Sequence, residues 1–230
     1  MQNGSFLKNN CRFLLVLLSV VFSFQGLAQD KKPRVALVLS GGGAKGLAHI
    51  PTLQALDSLG IVPDLVVGNS MGSIVGGLYA AGYSGDSIAS LTKHVNWERL
   101  MGGRVALNNV SVEEKSEFKR YLVELDWVKG NIKLGTFLLN DQNLRQFLAA
   151  LTFPVYTIDD FDEFQIPFRA IATDIINGKE IILDRGSLAF AMRASMSIPG
   201  VFSPVPYKET LLVDGGIVNN FPVDVAKQMG

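Results

Sequence analysis

Apolar residues fall in two patterns along this chain. Near-continuous runs at Val35 to Leu39, Leu65 to Val67, Ile166 to Thr173 and Leu211 to Val213 suit strands buried on both faces. After the first run, Leu47, Ile50, Leu53, Leu56 and Leu59 recur at helical spacing, and Gly60 closes that helix. Small residues at Ser73, Gly76, Gly77, Ala80 and Ala81 follow the second run and suit a helix lying close to a sheet. Asn140-Asp141 caps a helix carrying Leu144, Phe147, Leu148 and Leu151. Ser187 caps another that runs to about Ser195, and Pro222 opens a last one. Ile175-Ile176 and Glu180 to Leu183 flank Asn177-Gly178, which predicts a hairpin. The order strand, glycine loop, helix, strand, turn, helix opens an α/β sheet with parallel strands. From Ser84 to about Leu139 the pattern is irregular, apart from a hairpin near Lys129-Gly130-Asn131 with Leu122, Val123 and Trp127; this segment is a candidate cover for a site.

The N-terminus follows a different logic. Lys8 and Arg12 precede an apolar run from Phe13 to Phe24, and Gly26-Leu27-Ala28 places small residues where a signal peptidase cuts. Residues 1–28 are therefore predicted to be a secretory leader, with Gln29 the first mature residue. The run is too short to span a bilayer. The single cysteine, Cys11, would be lost with the leader, leaving an exported chain that depends on its core rather than on disulfides. With 230 residues, 48% of them hydrophobic, one ordinary domain from residue 33 to 230 supplies that core. Lys and Arg number 21 against 21 Asp and Glu, so the electrostatic footprint of a nucleic-acid binder is absent.

The candidate chemistry sits where apolar runs stop. Gly68-Asn69-Ser70-Met71-Gly72 ends the second strand in the pattern that turns a serine sharply between a strand and a helix. The positive end of the helix dipole and the Met71 N–H then lie beside the Ser70 hydroxyl, marking Ser70 as a nucleophile. Ser40-Gly41-Gly42-Gly43-Ala44-Lys45-Gly46 admits several readings. A dinucleotide fingerprint requires an acid at the end of the next strand, and that strand ends at Ser70 instead. A phosphate-cradling loop requires Ser or Thr after its lysine, and Gly46 follows Lys45. A plain strand-to-helix turn and an oxyanion hole remain, and the serine one βα unit later favours the hole, with the Gly42, Gly43 and Met71 amides as donors.

A base is also required. No histidine follows His94, whereas an α/β-hydrolase triad places its histidine late in the chain. His49 is assigned to packing or to fixing the glycine loop, and His94 to the surface. Asp214, ending a strand before Gly215-Gly216, is the candidate base; burial beside an apolar substrate would raise its pKa and improve it as a proton acceptor. Asp174 is the reserve. Asp159, Asp160, Asp162 and Glu163 lack the spacing of a calcium loop and read as a solvated turn. Asp224 suits the first turn of a helix, and Lys45 meets either an anionic head group or solvent.

These motifs, in this order, resemble the patatin-like phospholipase family: the glycine loop at 40–46, the nucleophile elbow at 68–72, the aspartate motif Asp214-Gly215-Gly216, and the block Ala194-Ser195-Met196-Ser197-Ile198-Pro199 near the site. The resemblance runs from about Pro33 to Gly230. It implies a three-layer α/β/α fold with a mostly parallel sheet and a Ser70–Asp214 dyad. It further implies hydrolysis of lipid acyl esters through an acyl-serine, at a membrane surface, without metal or cofactor. Asn69 stands where Thr is common in the family, and no step is assigned to it. Family members usually continue with a further strand after the helix at Pro222, and some exported bacterial members continue into an outer-membrane barrel. The chain is accordingly expected to be incomplete at its C-terminal end. Rival expectations are a thioesterase or acyltransferase using the same dyad, and a non-catalytic lipid-binding secretion module.

Overall fold

The computed structural model describes residues 34–100, 125–128, 131–134 and 141–229. The predicted leader, Leu122 and Val123 lie outside the described residues. The chain divides into two units at Arg34, and everything below concerns the second, Val35–Gly230.

Strand β1 (Ala36–Leu39) leads through a 3-10 turn (Gly43–Ala48) into helix α1 (His49–Leu59), which Gly60 ends in the left-handed conformation (φ 66°). Strand β2 (Leu65–Asn69) runs into α2 (Met71–Ala80), followed by α3 (Gly85–His94) and the single turn α4 (Trp97–Leu100). Strands β3 (Leu125–Val128) and β4 (Asn131–Leu134) form the hairpin expected around Lys129-Gly130. Then come α5 (Gln142–Thr152), β5 (Phe168–Asp174), β6 (Lys179–Leu183), α6 (Leu188–Ser195), β7 (Val205–Tyr207), β8 (Thr210–Asp214) and α7 (Val223–Gln228).

The main sheet has a parallel centre, β1-β2-β5. Strands β2 and β5 are buried along their whole length, as their continuous apolar runs predicted, whereas β1 lies at the sheet edge with Ala36 exposed and only Leu39 fully buried. Val66, Phe168, Ala170 and Ala172 pack into one core with residues of α2 and α6 such as Val75, Leu78, Leu188 and Met192. The alternate residues Leu65, Val67 and Ile171 pack on the other face against Val225 and Ala226 of α7. Helices thus cover both sides. Small residues let α2 lie close: a Cβ on Gly76 would stand 2.9 Å from Val66 Cγ1, and one on Gly77 2.6 Å from Met192 Cε.

Antiparallel strands extend this centre. The hairpin at Asn177-Gly178 pairs β6 along one edge of β5, with Gly178 left-handed (φ 65°). Along the opposite edge, β2 pairs with β5 from Phe168 to Ile171, and β8 pairs with it from Ala172 to Asp174. Because β2 is parallel to β5 and β8 antiparallel, their C-terminal ends point at each other. Strand β7 closes that side through a two-residue turn at Lys208-Glu209.

Three local features differ from the sequence reading. From Ser84 to Leu100 the chain is helical rather than irregular, the rest of that segment up to Leu139 lying outside the described residues apart from β3 and β4. Ser84 Oγ accepts the Ser87 N–H at 3.2 Å and starts α3, whose Ile88 is buried and whose Leu91 lies one turn on. His94 ends that helix, exposed as expected, with Nδ1 2.7 Å from the Ser90 carbonyl. Strand β7 escaped notice because it is three residues long and contains Pro206, tolerated at a sheet edge.

The third is Asp141, whose side chain makes no capping bond at the head of α5. It pairs instead with Arg193 on α6, which is 4% exposed, at 2.5 Å, and with Arg145 at 2.9 Å. Burial works against this carboxylate, but hydrogen bonds from the two arginines outweigh it and hold its pKa below the ordinary value. Arg193 also donates to Ser197 Oγ and the Ser203 carbonyl and lies over the Phe202 ring, so one guanidinium ties α5, α6 and the following loop together. Arg193→Met removes the buried partner of Asp141, leaves it only the exposed Arg145, and is expected to cost about 3 kcal/mol in urea unfolding. Arg145→Ala, at an exposed partner, should cost no more than about 0.5 kcal/mol.

Candidate active site

Ser70 sits at the point where β2 turns into α2, with φ 51° and ψ −122°, a conformation L-residues rarely hold. The two flanking glycines make the turn possible. A Cβ on Gly68 would stand 2.7 Å from Ser73 Cα, and one on Gly72 2.6 Å from the carbonyl carbon of Leu39 at the end of β1. The Ser70 N–H donates to Ser195 Oγ at 2.8 Å, and the Ser70 carbonyl accepts the Ser73 hydroxyl at 2.7 Å. Met71 begins α2, so the helix N-terminus opens beside the serine.

Asp214 ends β8, 7% exposed, and meets Ser70 where the two strands converge on β5. Burial raises its pKa above the ordinary carboxylate value, while the neighbouring Ser70 hydroxyl and the hydrogen bond from the Gly216 N–H (2.8 Å) act in the opposite direction. Its own N–H donates to the Ser197 carbonyl at 2.9 Å, which anchors the strand end to the block after α6. Gly215 lies against the sheet, since a Cβ there would stand 2.5 Å from the Ile171 carbonyl oxygen.

The glycine loop packs onto the same point. A Cβ on Gly41 would lie 2.9 Å from Ser70 Cβ, and one on Gly46 2.6 Å from Met71 Cβ. Gly42 stands at the head of the 3-10 turn, where its carbonyl accepts the Lys45 N–H at 3.1 Å, and Gly43 is left-handed (φ 54°). His49 holds the loop, its Nε2 lying 3.0 Å from the Ser40 carbonyl. Lys45 is exposed. Ser70, Met71, Asp214, Gly215, Gly216 and the loop Gly41–Gly46 therefore meet at one place.

The remaining acids stand elsewhere. Asp174, the reserve base, is occupied by the hairpin turn. It accepts the Ile176 and Asn177 N–H groups, the Asn177 side chain and the Thr210 hydroxyl, and these bonds hold its pKa down to about 2. Asp160 caps a 3-10 turn, and Asp162 pairs with Arg169 at 2.8 Å. Asp224 lies in the first turn of α7 and accepts from Asn219 Nδ2 at 2.9 Å. Among the described residues no three His, Cys, Asp or Glu side chains are grouped as a metal site.

Two features went unread in the sequence. Asn69 is fully buried beside the serine and hydrogen-bonded to Asn220 and Ser195, so its side chain is far from incidental. An amide ending an otherwise apolar strand was the available signal. The second feature is an almost wholly apolar cavity of about 310 Å³ that opens at Ser70, Met71 and Gly43. Leu78, Leu91, Trp97, Phe147, Leu148 and Phe202 line it, drawn from α2, α3, α4, α5 and the loop after α6. Its volume lies at the small end of the range for ligand pockets.

Comparison with known proteins shows the family and the fold. The family model described as patatin-like phospholipase matches residues 37–227. An NTE family protein of Mycobacterium tuberculosis is 32% identical over 194 residues, covering 84% of this chain and 46% of its own length. The lysophospholipase NTE1 of Meyerozyma guilliermondii is 31% identical, covering 85% of this chain and 12% of its own. The human patatin-like phospholipase domain-containing protein 6 is 32% identical, with 85% and 12% covered. The chain thus spans less than half the length of these relatives. Among solved structures, VipD from Legionella pneumophila superposes with a TM-score of 0.51 at 18% identity, over 81% of this chain and 46% of its own, a likeness of fold. On the family match and the shared fold together, this chain belongs to the patatin-like phospholipase family.

Proposed function

We propose that this chain is a serine lipid acyl hydrolase working through a Ser70–Asp214 dyad. The observation that carries this reading is the head-on meeting of β2 and β8 along β5, which sets Ser70, on the wall of an apolar cavity, beside a buried Asp214. The Ser70 oxygen attacks the ester carbonyl while Asp214 takes the hydroxyl proton. The Gly42, Gly43 and Met71 N–H groups receive the oxyanion. The carbonyl–oxygen bond to the alcohol then breaks, Asp214 returns the proton to that alcohol, and an acyl-serine remains. Water attacks it, giving its proton to Asp214, and the fatty acid leaves as Ser70 recovers its hydrogen. The cavity suits the acyl chain, each buried methylene adding about 0.8 kcal/mol of binding. The names of the relatives, phospholipase and lysophospholipase, fit a lipid ester.

The reading extends to place. The leader at 1–28 supports export, and an exported member of this family suits the periplasm, outer membrane or cell surface, with a C-terminal outer-membrane barrel in the parent protein. A membrane surface suits the rim of the site. Ile198 both lines the cavity and is partly exposed, while the exposed Ile217, Val218 and Phe221 follow directly on Gly216.

A fluorophosphonate probe should label the wild type and fail on Ser70→Ala, and labelling of Asp214→Asn should fall at least about 100-fold. An unlabelled, folded wild type, with and without lipid vesicles, would overturn the dyad. The acid limb of kcat/KM should lie above pH 3.9, the ordinary aspartate value, because burial raises the Asp214 pKa. With the folded pKa above the unfolded one, Asp214 favours folding fully only below its unfolded pKa and loses that contribution as pH rises through the folded pKa. Asp214→Asn should therefore melt no lower than wild type at pH 7.

Secretion of the whole chain from a bacterial host, followed by N-terminal mass measurement, should give Gln29 as first residue; an intact Met1 would count against export. Phe221→Ser with Ile217→Ser should weaken vesicle cosedimentation and leave hydrolysis of a short soluble ester unchanged. Equal loss on both would refute the membrane-facing rim.

A further inference from the structure

One chain of hydrogen bonds joins the glycine loop to the nucleophile through side chains outside the dyad. At one end the Gly41 N–H donates to Asn220 Oδ1 at 3.2 Å. The same oxygen accepts Asn69 Nδ2–H at 3.0 Å. Asn69 Oδ1 accepts the Ser195 hydroxyl at 3.5 Å, and Ser195 Oγ accepts the Ser70 N–H at 2.8 Å. Both ends are backbone N–H groups, which only donate. That requirement sets the polarity of every member between them, including which way each amide faces.

We infer that Asn220 is a positioning residue whose side-chain oxygen sets the glycine loop against the nucleophile elbow, and this rests on the acyl-hydrolase reading of the site. Asn220 follows the Asp214-Gly215-Gly216 turn, so its one oxygen links the loop through Gly41, the elbow through Asn69 and the segment that carries the acid. The approach is close enough to require glycine on the loop: a Cβ on Gly41 would stand 2.7 Å from Asn220 Oδ1. Gly42 and Gly43, the proposed donors, follow directly on Gly41. An error in Gly41 therefore passes straight to the direction of their N–H groups. Asn220 is itself exposed, so its truncation removes little buried surface, and its effect falls on geometry rather than on the core.

Asn220 also stands near the base. Its Oδ1 and Asp214 Oδ1 both lie 2.9 Å from the position a Cβ on Gly216 would take. Other titratable groups nearby are engaged. Glu180 on β6 and Asp224 on α7 accept from Asn219 Nδ2 at 2.7 and 2.9 Å, and His49 is bonded at the Ser40 carbonyl. Asp174 on β5 is held by its own turn, and Lys45 projects from the loop into solvent.

Asn220→Ala and Asn220→Asp separate positioning from simple structural support. Asn220→Ala should lower kcat for a soluble ester by about 10–100-fold, the cost of misplacing an oxyanion donor, with KM unchanged within about threefold. Its melting temperature should stay close to wild type. Asn220→Asp keeps an oxygen for both donors and should recover most of kcat at high pH. Its added negative charge disfavours ionisation of Asp214, so the acid limb of kcat/KM should move to higher pH than in wild type. Wild-type kcat in Asn220→Ala would overturn the inference. So would equal losses in both variants at every pH, or a loss in both that follows a common fall in melting temperature. Failure of the fluorophosphonate to label wild type would instead overturn the acyl-hydrolase reading itself, so the two failures are distinguishable.

Discussion

A β-strand has two edges, and the site depends on how those of β5 are shared. One edge is taken by β6. The other is divided between β2, which runs parallel and stops opposite Ile171, and β8, which runs antiparallel and stops opposite Ala172. Two strand ends therefore meet head-on at the middle of a fully buried strand. Ser70 follows one end and Asp214 is the other, which sets a hydroxyl and a carboxylate side by side without any intervening histidine.

Holding that contact imposes local costs that the surrounding core offsets. Ser70 keeps a left-handed φ, a conformation worth of order 1–3 kcal/mol in strain. Asp214 is kept from water, which disfavours its ionised form. Neither would persist on a loose loop. Both stand at the ends of strands whose other residues, Val66, Val67, Leu212 and Val213, are fully buried, and a packed interior resists the shifts that would relieve them. Among the described residues the same packing leaves an apolar cavity between α2, α3, α4 and α5, with Ser70 in its wall.

Polar groups within this core are placed by pairing. Arg193 meets Asp141, Ser197 and the Ser203 carbonyl, and the Ser197 carbonyl in turn receives the Asp214 N–H. Asn69 and Ser195 carry another set of bonds to the Ser70 N–H. Together they join α6 to both halves of the dyad. The block Ala194 to Pro199, which in the sequence stood out only through its likeness to the family, is thus the brace between β2, β8 and the wall of the cavity.

Much of this was legible before any coordinates. Apolar runs identify strands buried on both faces because side chains alternate across a sheet, and Gly68-x-Ser70-x-Gly72 or Asp214-Gly215-Gly216 identify turns because only glycine tolerates such close backbone approach. These signals are local, and so is the cap at Ser187. Periodicity says which faces are buried but not which neighbour buries them. It could not show that β8 runs antiparallel along the edge that β2 leaves free, that Asp141 turns from its helix to Arg193, or that Asn69 faces Asn220. The cavity was equally hidden, since its lining comes from helices far apart in the chain. Sequence alone determined most of the strands and helices and the chemical groups at their ends. Tertiary structure decided which of those ends meet, because strand pairing and side-chain partners depend on contacts between distant segments that no local pattern records.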